Sequence, residues 1–169
     1  QLKGNLDDAV AQFNLAIKLK PDFAEAYGNL AMALKSQNRL NEAVAHLNQA
    51  LKIRPGFAEA HHNLALVLIA QNKPDDAVTH FEQALQAKPD YAEAHCNLAG
   101  LLARQGNLDR AAIHFRSALA IQPDLLPALK SLAWILASHP DPNMRDTKLA
   151  IELAGRAVEV IVVDNSPGD

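Results

Sequence analysis

The chain has 169 residues, 49% hydrophobic and 21% charged, with a net charge of -3 and one cysteine. This is the composition of a folded chain with material for a sizeable core. It has neither the basic surplus that suits phosphate backbones nor a block of like charge, which argues against a nucleic-acid partner. Cys96 has no second cysteine to pair with inside the chain, and no apolar run approaches the roughly 18 to 20 residues that cross a bilayer, so no membrane contact is expected of this segment.

The first element expected is a helix over residues 1–21, with Ala9, Phe13 and Ala16 on one stripe and Pro21 closing it. The chain starts half-way through a pattern that later recurs whole. It therefore reads as a segment excised from a longer protein, whose upstream part could carry a signal or an anchor.

Residues 24–57 hold the first whole copy. Tyr27, Leu30, Ala31 and Leu34 follow i, i+3, i+4, i+7 spacing and predict a helix with one apolar stripe; Ala43, Val44, Leu47, Ala50 and Leu51 predict a second. Between them lies Gln37-Asn38-Arg39, whose middle residue tolerates the left-handed backbone that ends a helix. Asp22 and Glu25 stand three apart, as Asp90 and Glu93 do later, and predict a capping box with aspartate as acceptor.

Residues 58–91 and 92–125 repeat this hairpin, with turns at Gln71-Asn72-Lys73 and Gln105-Gly106-Asn107. Residues 126–163 repeat it with a difference: Leu136 to Ala150 spans 14 residues where Leu34 to Ala43 spans 9, so five residues have entered the turn around His139-Pro140-Asp141-Pro142. Residues 164–169 read as a disordered tail. The count is about nine helices.

Pro21, Pro55, Pro89 and Pro123 recur every 34 residues. Small residues share columns at Ala31, Ala65, Ala99 and Ala133 and at Ala16, Ala50, Ala84 and Ala118; large ones share them at Leu30, Leu64, Leu98 and Leu132 and at Phe13, Leu47, Phe81 and Phe115. This small and large alternation, at a period in the solenoid range, resembles the tetratricopeptide repeat family over residues 1 to about 163. The segment LAWILASHPDPNMRD resembles a final repeat of bacterial members, and end repeats are expected to diverge. The resemblance implies an all-α fold, a right-handed α-α superhelix with a groove lined by the first helix of each hairpin.

Columns on that face carry Glu25, Glu59 and Glu93; Gly28, His62, Cys96 and Lys130; and Asn29, Asn63, Asn97 and Ser131. Further along stand Met32, Leu66, Gly100 and Trp134, then Lys35 and Ile69, with Arg104 beside them. An asparagine amide offers donors and an acceptor and can match a peptide group without reading its side chain. The column is similar to the asparagine ladder of the O-linked N-acetylglucosamine transferase branch of the family; the alternative is that these asparagines hold local helix contacts. At about 0.5 to 1.5 kcal/mol net per hydrogen bond, three of them fall short of the ~8 kcal/mol of micromolar affinity. Apolar contact from Met32, Leu66, Ile69 and Trp134 must supply the rest, although the usual burial of tryptophan favours packing for Trp134.

Other signals look chemical. His46, His80 and His114 are 34 apart, and His61 and His95 share the column of Tyr27. Helix axes roughly 8 to 10 Å apart allow only neighbouring pairs to converge, so no metal and no cofactor is expected, and the bland reading of His61 and His95 is half-buried packing. Cys96 lacks the base and orienting group a thiolate nucleophile needs, and no catalytic motif occurs.

The functional expectation is a non-catalytic module binding a protein or peptide on the inner face, with the three glutamates suiting a basic or neutral partner. The alternatives are the substrate-recruiting arm of a larger enzyme such as a glycosyltransferase, and a scaffold or homo-oligomer joined through uncapped apolar ends, with Val158, Val160, Ile161, Val162 and Val163 at one of them.

Overall fold

The computed structural model describes the backbone of residues 2–164 and the side chains of residues 6–163. Among the described residues it is entirely helical: α1 (Leu2–Leu19), α2 (Ala24–Ser36), α3 (Leu40–Ile53), α4 (Ala58–Ala70), α5 (Pro74–Ala87), α6 (Ala92–Arg104), α7 (Leu108–Ile121), α8 (Leu126–Ser138), a short 3-10 turn (Pro142–Met144) and α9 (Thr147–Asp164). The last helix thus runs one residue into the stretch read as a tail, and residues 165–169 lie outside the described residues. The chain divides into two compact units, Gln1–Pro89 and Asp90–Asp169.

In the first unit α2 pairs with α3 and α4 with α5, and α1 packs on α2. In the second, α6 pairs with α7 and α8 with α9. First helices of successive hairpins also touch, α2 with α4 and α6 with α8, which puts them on the inner side of each unit.

The alanine columns explain how the backbones come so close. Ala31, Ala43, Ala50, Ala65, Ala77 and Ala84 are fully buried in the first unit, as are Ala99, Ala111 and Ala118 in the second. Phe81 and Phe115 are the largest fully buried side chains, and truncating either removes about 3 to 5 kcal/mol through lost transfer energy and the cavity left behind.

The turns follow the expected chemistry. Asn38 and Asn72 adopt φ of 61° and 60°, and Gly106 adopts 80°. In each, the residue after it donates its N–H five positions back in a 2.9 Å bond, Arg39 to the Leu34 carbonyl, Lys73 to Leu68 and Asn107 to Leu102, which is a Schellman closure. The turn glutamine adds a clip that the pattern alone did not reveal. Gln37 Nε2 donates to Asp7 Oδ1 at 2.7 Å and Gln71 Nε2 to Asn41 Oδ1 at 2.9 Å, each joining a turn to the second helix of the preceding hairpin.

The expected capping boxes do not form. The N-cap residues are Phe23, Phe57 and Tyr91, none with a side-chain capping bond. Asp22 and Asp90 fall one position too early, because the chain uses the cap position for an aromatic side chain instead. Phe57 is buried, with its ring 3.9 Å from where a Cβ on Gly28 would sit.

The longer turn after α8 is held by side chains. His139 Nδ1 accepts from the Asp141 N–H at 3.1 Å, which leaves the proton on Nε2, aimed at Asp109 Oδ1 3.3 Å away. Arg145 Nε donates to the His139 carbonyl at 2.7 Å, and the Asp146 N–H to the Leu136 carbonyl at 3.0 Å.

Candidate functional site

The inner faces of the first helices are built by the same helical period that buries the alanines. In the first unit Asn29 is exposed and Asn63 half-buried at equivalent positions of the touching helices α2 and α4. Among the described residues nothing hydrogen-bonds either side-chain amide, so these two do not hold local helix contacts. One turn on, Met32 and Leu66 are half-buried, and Lys35 and Ile69 follow in the same state.

The acidic column is already used. Arg54 Nη2 donates to Glu25 Oε1, and Lys88 Nζ stands 3.5 Å from Glu59 Oε1, so in both hairpins the residue preceding the closing proline neutralises the glutamate. The guanidinium beside Glu25 holds its carboxyl below the usual range. The carboxylates of Glu25 and Glu59 thus face cations from their own hairpins. A signal existed in the sequence, since Lys20, Arg54 and Lys88 form a basic column of their own.

His62 is also corrected. It is 8% exposed, with its ring tilted against Phe81 at 5.6 Å, so it fills the helix interface rather than facing a ligand. Cys96, one repeat on, is buried too.

In the second unit Glu93 is exposed and Asn97 half-buried on α6. Trp134 on α8 is 61% exposed, so it does not pack beneath the last hairpin as tryptophan habits suggested. The buried apolar residues of α8 are instead Leu129, Leu132, Ile135 and Leu136. Trp134 lines a notch of about 350 Å³ with Gly100 and Arg104 of α6 and Lys130 and Ser131 of α8. A second, larger groove of about 650 Å³ lies where α8 begins and α9 ends, lined by Leu126, Leu129, Val160 and Val163 with Arg156 and Glu159.

This architecture of helical hairpins with a 34-residue period agrees with three family matches, described as tetratricopeptide repeat over residues 22–90 and 62–125 and as TPR repeat over residues 2–37. The chain belongs to the tetratricopeptide repeat family. No curated protein sequence matches it significantly. Among solved structures it is similar to a crystal structure of MamA, with a TM-score of 0.78 at 20% identity over 96% of this chain and 92% of that one. MamA from Desulfovibrio magneticus RS-1 gives 0.75 at 19% over 97% and 90%. YrrB, described as a TPR protein with an unusual peptide-binding site, gives 0.68 at 21% over 93% and 78%. At these identities the likeness is one of fold.

The histidines on these TPR hairpins meet in pairs. His61 Nδ1 lies 3.1 Å from His80 Nδ1, and His95 Nδ1 lies 2.9 Å from His114 Nδ1, each joining the two helices of one hairpin; in the first hairpin Tyr27 meets His46 with ring centroids 5.9 Å apart. Pro55 offers only a carbonyl, so His61 Nε2, 3.0 Å away, must donate to it. The lone pair of His61 is then on Nδ1, and His80 donates its Nδ1–H there. Burial foremost, then the neighbouring imidazole, pushes the His80 pKa down. Among the described residues no group of three or more His, Cys, Asp or Glu could hold a metal. Burial and the charge of Glu93 push the Cys96 thiol up, which keeps it protonated and a poor nucleophile at neutral pH. No helix among the described residues is long and apolar enough to cross a membrane.

Proposed function

We propose that this TPR chain is a non-catalytic interaction module that holds an extended peptide or a partner's segment along the inner faces of its first helices. The observation that carries this reading is the pair of unengaged amides at Asn29 and Asn63, which repeat at one register and sit beside the apolar Met32, Leu66 and Ile69. An amide with no local partner can bond a peptide group at about 0.5 to 1.5 kcal/mol net, and the apolar residues add contact area. Asn97, Glu93, Lys35, Arg104 and Trp134 complete the proposed contact set in their own units. The peptide-binding site named for YrrB supports the reading by likeness of fold.

An unbiased peptide-array screen followed by the double substitution Asn29→Ala, Asn63→Ala tests it. Affinity for the selected peptides should fall about tenfold; binders that keep their full affinity for the doubly substituted chain would remove the amides from the site.

The asparagine column also favours a second reading, in which the chain is the substrate-recruiting arm of a larger enzyme of the O-linked N-acetylglucosamine transferase kind. Sequence beyond Gln1 and Asp169 decides between the two. The groove between α8 and α9, with Val158, Val162 and Val163 exposed nearby, favours a third, a scaffold that self-associates through its end. A sedimentation coefficient that stays constant across concentration would eliminate it.

A further inference from the structure

Resting on the inner-face reading, we infer that the notch between α6 and α8 selects an acidic peptide segment, one that places an apolar side chain against Trp134 and an adjacent carboxylate by Arg104 and Lys130.

The notch exists because of one column. Where the other repeats carry Met32, Leu66 and Trp134, α6 has Gly100, and a Cβ built there meets nothing within 4 Å. The missing side chain opens a space of about 350 Å³ beside Trp134, a residue 61% exposed. A large aromatic surface left open beside a cavity of ligand size is the arrangement that recognises an apolar side chain.

Two cations border the same space. Arg104 and Lys130 both line it, and among the described residues no carboxylate pairs with either. They differ in this from Arg54 and Lys88, which are committed to Glu25 and Glu59. The charge exposed at the notch is therefore positive, and the complementary partner carries a carboxylate. Arginine can hold it by two parallel hydrogen bonds, and lysine acts as a point charge. Glu93 lies on the same helix eleven residues before Arg104, about 16 Å along the axis. It disfavours an acidic residue at that end of α6 and so fixes which end the carboxylate takes.

Trp134 is the chain's one tryptophan, so its fluorescence reports on this notch alone. The full chain is titrated at low salt with ten-residue peptides pairing Leu with Asp in a Gly-Ser background and with charge-reversed peptides pairing Leu with Lys. The acidic peptide should shift the emission to the blue with saturation, and the basic one should leave it unmoved. Arg104→Glu and Lys130→Glu should each weaken binding about tenfold, and the affinity should fall as salt rises. Gly100→Leu guards against a charge reversal that fails to fold. It restores the residue type of the equivalent column, lies in open space and improves helix propensity, and it should abolish the shift while leaving the helical signal intact.

If peptides bind and lose affinity on substitution of Asn29 and Asn63, yet Trp134 emission stays still and Gly100→Leu binds normally, this inference is wrong and the inner-face reading stands. An oligonucleotide or pyrophosphate that produces the same shift and displaces the peptide would overturn the peptide assignment in favour of phosphate. Absence of binding by peptides of either charge would overturn both readings together.

Discussion

His80 illustrates how a single side chain ties stability to pH. Its neutral ring donates to His61, and the folded chain resists its protonation because the ring is half-buried and faces a second imidazole, although Gln83 and Asp76 pull the other way. His46 is depressed by burial as well, against the opposing charge of Glu42. Below the ordinary histidine value near 6.5, the unfolded chain binds protons that the folded one refuses, so stability present above that pH is lost as pH falls through it. The melting temperature should therefore drop between pH 7 and 5.5, and His80→Gln, which can still donate to His61, should flatten that drop. Parallel curves for the two proteins would show that the pair does not govern it. The sequence points to half-buried packing for His61 but not to a bonded pair with His80, because 19 positions separate the partners and only the hairpin crossing brings them together.

At the scale of the element, helix ends show which parts of the fold could be read beforehand. The left-handed turns were legible at Asn38, Asn72 and Gly106, since few residue types accept that backbone. The helix starts were not: Asp22 and Asp90 have the right chemistry for a cap and stand one residue from the place where it is needed. A shift of one position is beyond what a local motif can resolve when a neighbouring aromatic competes for it through burial. The inserted turn after α8 lacks the left-handed closure and depends on His139 and Arg145 instead. Arg145→Ala should lower the unfolding temperature and raise proteolytic cutting between residues 139 and 147, and adding His139→Ala should cost less than its separate effect because the two hold one loop. Strict additivity would mean that they act independently.

Across the whole molecule, the period of 34 residues made the family, the hairpins and the buried alanine and phenylalanine columns visible in the sequence. The candidate faces were legible only as columns. Whether a column is available depends on what lies opposite: Glu25 and Glu59 are engaged by basic residues 29 positions later, His62 is roofed by Phe81, and Trp134 is open because Gly100 leaves room beside it. Those relations depend on distances between helices, which periodicity does not supply.

The glutamine clips have a consequence for how the first unit moves. Because Gln71 grips Asn41 on α3, fraying of the turn that begins at Gln71 cannot proceed without disturbing the helix before it, and the unit should open in linked steps rather than residue by residue. Amide hydrogen exchange can see this: in Gln71→Ala, the Lys73 N–H and the early amides of α3 should lose protection together, whereas a purely local role would release the turn amide alone.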